Sequence, residues 1–189
     1  TRVELGWNHE PFHIPDEIKS EWDAKVAGAE LNASWDKLMK DYSEKHPESF
    51  KELKRVINNE LPINFEDTYK DFIYELSEGD KKDIATRKAS EQCLNFFCEK
   101  LPELVGGSAD LTGSNNTFSS VSTEMLPESP EGNHIFYGVR EFGMTAMTNG
   151  MVLHGGIKPY SGTFLVFMDY ARNAVRLAAL MKIPNIFVY

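Results

Sequence analysis

The chain has 189 residues, 41% of them hydrophobic and 26% charged, a balance that excludes disorder and fibrous repeats. A formal net charge of −9 argues against general nucleic-acid binding, which needs a basic footprint. No apolar run reaches the roughly 18 residues of a membrane-spanning helix, so neither nucleic acid nor membrane is an expected partner.

Charge is concentrated in the first half, together with all three tryptophans, Trp7, Trp22 and Trp35. Four amphipathic helices are predicted there. "HIPDEIKSEWDAKVAGAEL" has Pro15 and acidic residues at its start, as helix N-termini prefer. "NASWDKLMKDYSEKH" begins at Asn32 or Ser34 as a candidate cap. "ESFKELKRVINNEL" and "NFEDTYKDFIYEL" follow, and Gly79-Asp80 punctuate the chain. No chemistry is legible in residues 1–80.

The second half alternates strand and helix patterns. "IATRKASEQCLNFFCEKLP" is a predicted helix with Ala89, Cys93, Phe97 and Leu101 on its apolar face. Cys93 and Cys98 lack the spacing of a zinc site or redox pair and are expected to be free thiols. "ELVGG" is a short strand running into the polar loop "SADLTGSNNTF", and "HIFYGV" is a second strand. "REFGMTAMTNGMVLHGG" is a helix closed by Gly155-Gly156. "KPYSGTFLVF" is a loop with an aromatic run that leads into the helix "MDYARNAVRLAALMK", and "IPNIFVY" is the last strand. This rhythm predicts an α/β fold: a parallel sheet with helices on both faces, preceded by a charged helical segment. The chain starts at Thr1 and stops on a strand pattern, which suggests a segment of a longer protein. Nothing resembles a signal peptide, so the expected compartment is cytoplasmic.

Ligands of such sheets bind beyond the strands' carboxyl ends, which directs attention to the loops after "ELVGG" and "HIFYGV". Glu141 follows the second of these strands and opens a helix. It suits the helix dipole, but it could equally exchange a proton with a bound heterocycle. Phe164, Phe167 and Tyr170 recur every third residue, as core packing or as a wall for an aromatic ring. Arg87 and Lys88, with Ser114, Asn115 and Asn116 in the polar loop, are either solvated residues or a phosphate site.

"ATRKAS", "LVGGSADLTGSN", "HIFYGVREFGMTAMTNGMVLHGG" and "PYSGTFLVFMDYARNAVRLAALMK", in this order and spacing, closely resemble transketolases, as does the opening "LGWNHEPFHIPDEI". The resemblance implies the tail of a diphosphate-binding domain (1–60), a linker (61–82) and the first part of a pyrimidine-binding domain (83–189). It implies a homodimer that uses thiamine diphosphate and Mg or Ca to move a two-carbon ketol unit from a ketose phosphate to an aldose phosphate, in the pentose phosphate pathway. By the same resemblance Glu141 is the catalytic carboxylate at the cofactor's N1′. Phe167 stacks on the aminopyrimidine, Phe164 and Tyr170 complete the pocket, and Asp110 lies near the cofactor. Arg87 and Ser114 hold the substrate phosphate. The family's GDG metal and diphosphate motif is absent, so no metal ligand is assigned to this chain, which should be inactive alone. Dihydroxyacetone synthase and deoxyxylulose-5-phosphate synthase are similar enough to stay as alternatives, as does a non-catalytic dimerisation module. Arg87 and "GGSADL" favour transketolase.

Overall fold

The computed structural model describes residues 1–79 and 83–189. Asp80 of the predicted punctuation and the end of the predicted linker lie outside the described residues, whereas Gly79 caps helix α4. Internal contacts divide the chain into two units, Thr1–Glu52 and Leu53–Tyr189.

The first unit is helical, with α1 (Asp16–Trp22), α2 (Lys25–Lys45) and the start of α3 (Pro47–Ile57). None of these helices contains a buried residue. The predicted break at Asn32 is not present: α2 runs unbroken through Asn32 and Ser34, and the chain turns instead at Asp23-Ala24. Ala24 caps α2 without a side-chain bond, and the Asp23 carboxylate just before it accepts the Lys25 backbone N–H at 3.1 Å, one of the free N–H groups that open the helix. Asn32 bonds along the helix to Asp36 at 3.1 Å and is not a cap.

The second unit adds α4 (Phe65–Glu78), α5 (Thr86–Lys100), β1 (Leu104–Ser108), α6 (Thr112–Asn115) and β2 (His134–Phe136). After these come α7 (Glu141–His154), β3 (Lys158–Gly162), a 3-10 turn (Leu165–Phe167), α8 (Met168–Met181) and β4 (Ile186–Val188). The four strands pair in parallel in the order β2-β1-β3-β4. Strand β3 corrects the sequence reading, which made Lys158–Gly162 a loop. "KPYSG" has no apolar alternation and carries a proline, yet it sits between β1 and β4 with Pro159 to Gly162 all buried. Tertiary pairing decides it.

On one face, Leu94, Cys98 and Leu101 of the α5 segment pack on Leu104 and Tyr160, with Phe65, Phe97 and Val188 at the margin. The buried stripe is thus Leu94–Cys98–Leu101. Of the predicted face, Leu101 is buried in this cluster and Phe97 packs against it, Cys93 is half-buried, and Ala89 is exposed, so the face is rotated toward Leu94 and Cys98. Gly106 lies opposite Tyr160, and a Cβ there would collide with the tyrosine ring and carbonyl, so the close approach requires glycine. A second cluster joins Met144 of α7 to Ala109, Ile135 and Tyr137. Helices α7 and α8 lie together, with Ala171, Ala174 and Ala178 buried. Both cysteines are free, and burial pushes the Cys98 thiol up despite a hydrogen bond with Ser119.

Candidate active site

From β1 the chain crosses to β2 on one side, whereas from β3 it crosses to β4 on the other. The connections therefore diverge between β1 and β3, and the carboxyl ends of these strands frame a crevice of the kind that binds ligands in open parallel sheets. Two cavities open along this edge.

The first, about 430 Å³, is lined by Asp110, Leu111, Val139, Glu141, Phe167 and Tyr170. Each comes from a strand's carboxyl end or the element that follows it. Asp110 ends the β1 segment in the left-handed region, with φ 61°, which aspartate tolerates better than most residues. After β2, Gly138 takes φ 67° and the Arg140 guanidinium donates to the Tyr137 carbonyl at 2.9 Å, a turn that delivers Glu141 to the first position of α7. Glu141 is only 8% exposed, and among the described residues its carboxylate takes part in no hydrogen bond or ion pair. Phe167 is flanked by Phe164, 5.9 Å away at 22°, and Tyr170, 6.0 Å away at 36°. Tyr137 is buried beneath this edge, and burial pushes its phenol up to about 12, so it is neutral at physiological pH.

The second cavity, about 420 Å³, brings Arg87 and Ser114 together, with Asn115, Thr163 and Phe164 around them. Its floor is tied to the sheet. Ser108 Oγ donates to the Gly162 carbonyl, Asn115 donates to Ser108 Oγ, and Thr117 Oγ donates to Asn115, each at 2.9 Å. The Tyr160 hydroxyl donates to the Thr117 carbonyl at 2.9 Å.

The structure therefore gathers Glu141, Phe167, Tyr170 and Asp110 in one cavity and Arg87 and Ser114 in the other. Phe164 lies beside Phe167 but lines the second cavity. Thr163 escaped the sequence reading because it reaches the site only through the unpredicted strand β3. Its Oγ is buried without a partner among the described residues. No group of three or more His, Cys, Asp or Glu side chains that could hold a metal ion is present among the described residues.

Residues 82–189 match the family model described as transketolase, pyrimidine binding domain, and residues 1–62 match transketolase, thiamine diphosphate binding domain. The chain is 51% identical over 189 residues to transketolase 2 of Vibrio vulnificus, and 51% identical over 185 residues to transketolase 1 of Vibrio parahaemolyticus. It spans 28% of the length of each and is itself covered to 100% and 98%. A crystal structure of a Pichia stipitis transketolase in complex with sedoheptulose-7-phosphate covers 99% of the chain at 35% identity, with a TM-score of 0.83. Transketolase from Leishmania mexicana covers 99% at 33% identity, with a TM-score of 0.82. The chain matches 28% and 27% of those two structures.

Proposed function

The chain belongs to the transketolase family, and from that premise we propose that it works within a longer thiamine-diphosphate-dependent enzyme that moves a two-carbon ketol unit from a ketose phosphate to an aldose phosphate. Residues 1–60 are the tail of the diphosphate-binding domain, 61–82 a linker and 83–189 the first part of the pyrimidine-binding domain. The enzyme is a cytoplasmic homodimer of the pentose phosphate pathway.

One observation carries this reading: a nearly buried carboxylate, Glu141, shares a cavity with the aromatic surface of Phe167 and Tyr170. A flat heterocycle with one protonatable ring nitrogen fits that lining. Phe167 supports the ring's face, Leu111 and Val139 add apolar lining, and Glu141 holds a proton at N1′. Asp110 adds a carboxylate at the cavity's edge. When bound, thiamine diphosphate supplies the carbon nucleophile and electron sink that this chain's side chains lack. Arg87 and Ser114 grip the sugar phosphate in the neighbouring cavity, away from the reacting carbon, with a guanidinium fork and a hydroxyl. The Mg or Ca that a diphosphate requires is held by residues outside this chain.

The test is Glu141→Gln in the full-length enzyme. Glutamine is nearly isosteric, and the lost interaction with the helix dipole costs only about 0.3–1 kcal/mol, so fold and cofactor binding should persist. Activity should fall about 10²-fold or more. Hydrogen–deuterium exchange at C2 of the bound cofactor should slow with it. Exchange at the wild-type rate would reduce Glu141 to a residue that merely starts a helix.

A further inference from the structure

Helix α6 is a single turn, too short to hold its own shape, yet it carries Ser114 into the phosphate cavity. Its rear is tied to β1 through Asn115 and Ser108. Its other support is His134, the first residue of β2, which is fully buried. His134 Nε2 lies 3.3 Å from the hydroxyl of Thr112, the residue that opens α6. The same imidazole packs against Phe118, just beyond α6, with ring centroids 4.7 Å apart, and against Phe136 at 4.9 Å. The backbone fixes the ring in place: the His134 N–H donates to the Thr123 carbonyl at 3.0 Å, and the His134 carbonyl accepts from Met125 at 2.8 Å.

Among the described residues Nδ1 has no partner. A buried N–H without an acceptor is the costlier of the two orphans, so the proton belongs on Nε2, and the imidazole donates to Thr112 Oγ. The ring thus contacts the chain on both sides of α6, by a hydrogen bond before Ser114 and by aromatic packing after it.

We propose that His134 is a positioning residue for the phosphate cavity: by bracing Thr112 and Phe118 it holds the α6 turn in register, so that Ser114 lies in the cavity with Arg87. The inference rests on the assignment of that cavity to the substrate phosphate. A buried histidine that only fills space would be replaced without loss by phenylalanine, because the ring packing survives. A brace would not be, because the donor to Thr112 is gone.

The experiment uses the full-length enzyme with His134→Phe, Thr112→Val, their double variant and Ser114→Ala as reference. His134→Phe and Thr112→Val should each raise KM for a ketose phosphate about threefold to tenfold, the scale of one neutral hydrogen bond, with kcat little changed. KM for a phosphate-free ketol donor should stay at the wild-type value. The double variant should be no worse than either single one, because both remove the same bond. Amide hydrogen exchange over Thr112–Asn115 should speed up in both single variants.

Additive effects, an equal rise in KM for both donors, or unchanged KM and exchange in His134→Phe and Thr112→Val while Ser114→Ala raises KM would overturn the brace. Should His134→Phe fail to fold, Thr112→Val alone decides by the same KM split. If Ser114→Ala leaves KM for the ketose phosphate unchanged, the phosphate assignment itself falls, and the inference with it.

Discussion

His134 and Glu103 are both buried and ionisable, and they answer to pH in different ways. Burial alone pushes His134 from 6.5 down to about 4, so it is neutral in the folded protein. The unfolded chain takes up this proton as pH falls below 6.5, whereas the folded chain resists until about 4. Stability is therefore complete above pH 6.5 and drains away between 6.5 and 4, by on the order of 3 kcal/mol for such a shift. Burial would raise the Glu103 carboxyl, but hydrogen bonds from Arg55 and the nearby charges of Arg55 and Lys158 hold it below its ordinary 4.5. Its contribution is present above pH 4.5 and is lost as pH drops through the lowered value. Urea unfolding should thus show stability declining already between pH 6.5 and 4, and His134→Phe should flatten that part of the profile while leaving the steeper fall at lower pH. A wild-type profile that is level down to pH 4.5 would mean that His134 is not held neutral. None of this was legible in the sequence, where His134 was one of five scattered histidines. Its burial depends on residues 118–125 folding over the free side of β2.

At the scale of elements, the sequence was most informative where local preference and tertiary role agree. Helices α5, α7 and α8 and strands β1, β2 and β4 carry apolar patterns, caps or glycine stops that match their surroundings. Strand β3 has none, because its burial comes from neighbours on both sides and its pairing from β1 and β4. The end of α3 illustrates the same limit. Arg55 grips Glu103, at the entry to β1, through two hydrogen bonds of 3.0 and 2.9 Å, and Lys158, at the entry to β3, stands 3.7 Å from the same carboxylate. The Glu103 side chain is 2% exposed and that of Arg55 12%, so this pair pins the last turn of α3, within the second unit, to the amino-terminal edge of the sheet, opposite the candidate site. Sequence shows only one more basic residue in an amphipathic helix. Arg55→Met strands a buried carboxylate and should cost about 3–5 kcal/mol, read from the urea midpoint. Arg55→Met with Glu103→Leu should recover much of that loss. A double variant as unstable as the single one would show that packing of the arginine stem, and not its charge, holds α3.

Across the whole molecule, the residues that the sequence singled out are brought together by topology. The four strands run parallel, so the segments after β1, β2 and β3 open on one edge, and residues as far apart as Asp110 and Tyr170 meet there. The helices behind that edge leave much apolar surface in water. Phe142, Met147 and Leu153 of α7 are 50%, 52% and 61% exposed, and Leu177, Leu180 and Met181 of α8 are 46%, 61% and 43% exposed. Stable monomers rarely leave so many large apolar side chains uncovered on two adjacent helices. At about 25 cal/mol per Å² of apolar surface removed from water, covering them offers a driving force of several kcal/mol, against which only the entropy of association and the desolvation of a few polar groups must be set. The 189-residue chain should therefore self-associate in solution, with a sedimentation coefficient that rises with concentration through the micromolar range. Replacing Leu177 and Leu180 by glutamate should shift that rise to higher concentration, because each charge would lose its water on association. A chain that sediments as a 21.5 kDa monomer at every concentration would show that these faces tolerate water, and the proposed homodimer would then need a different surface.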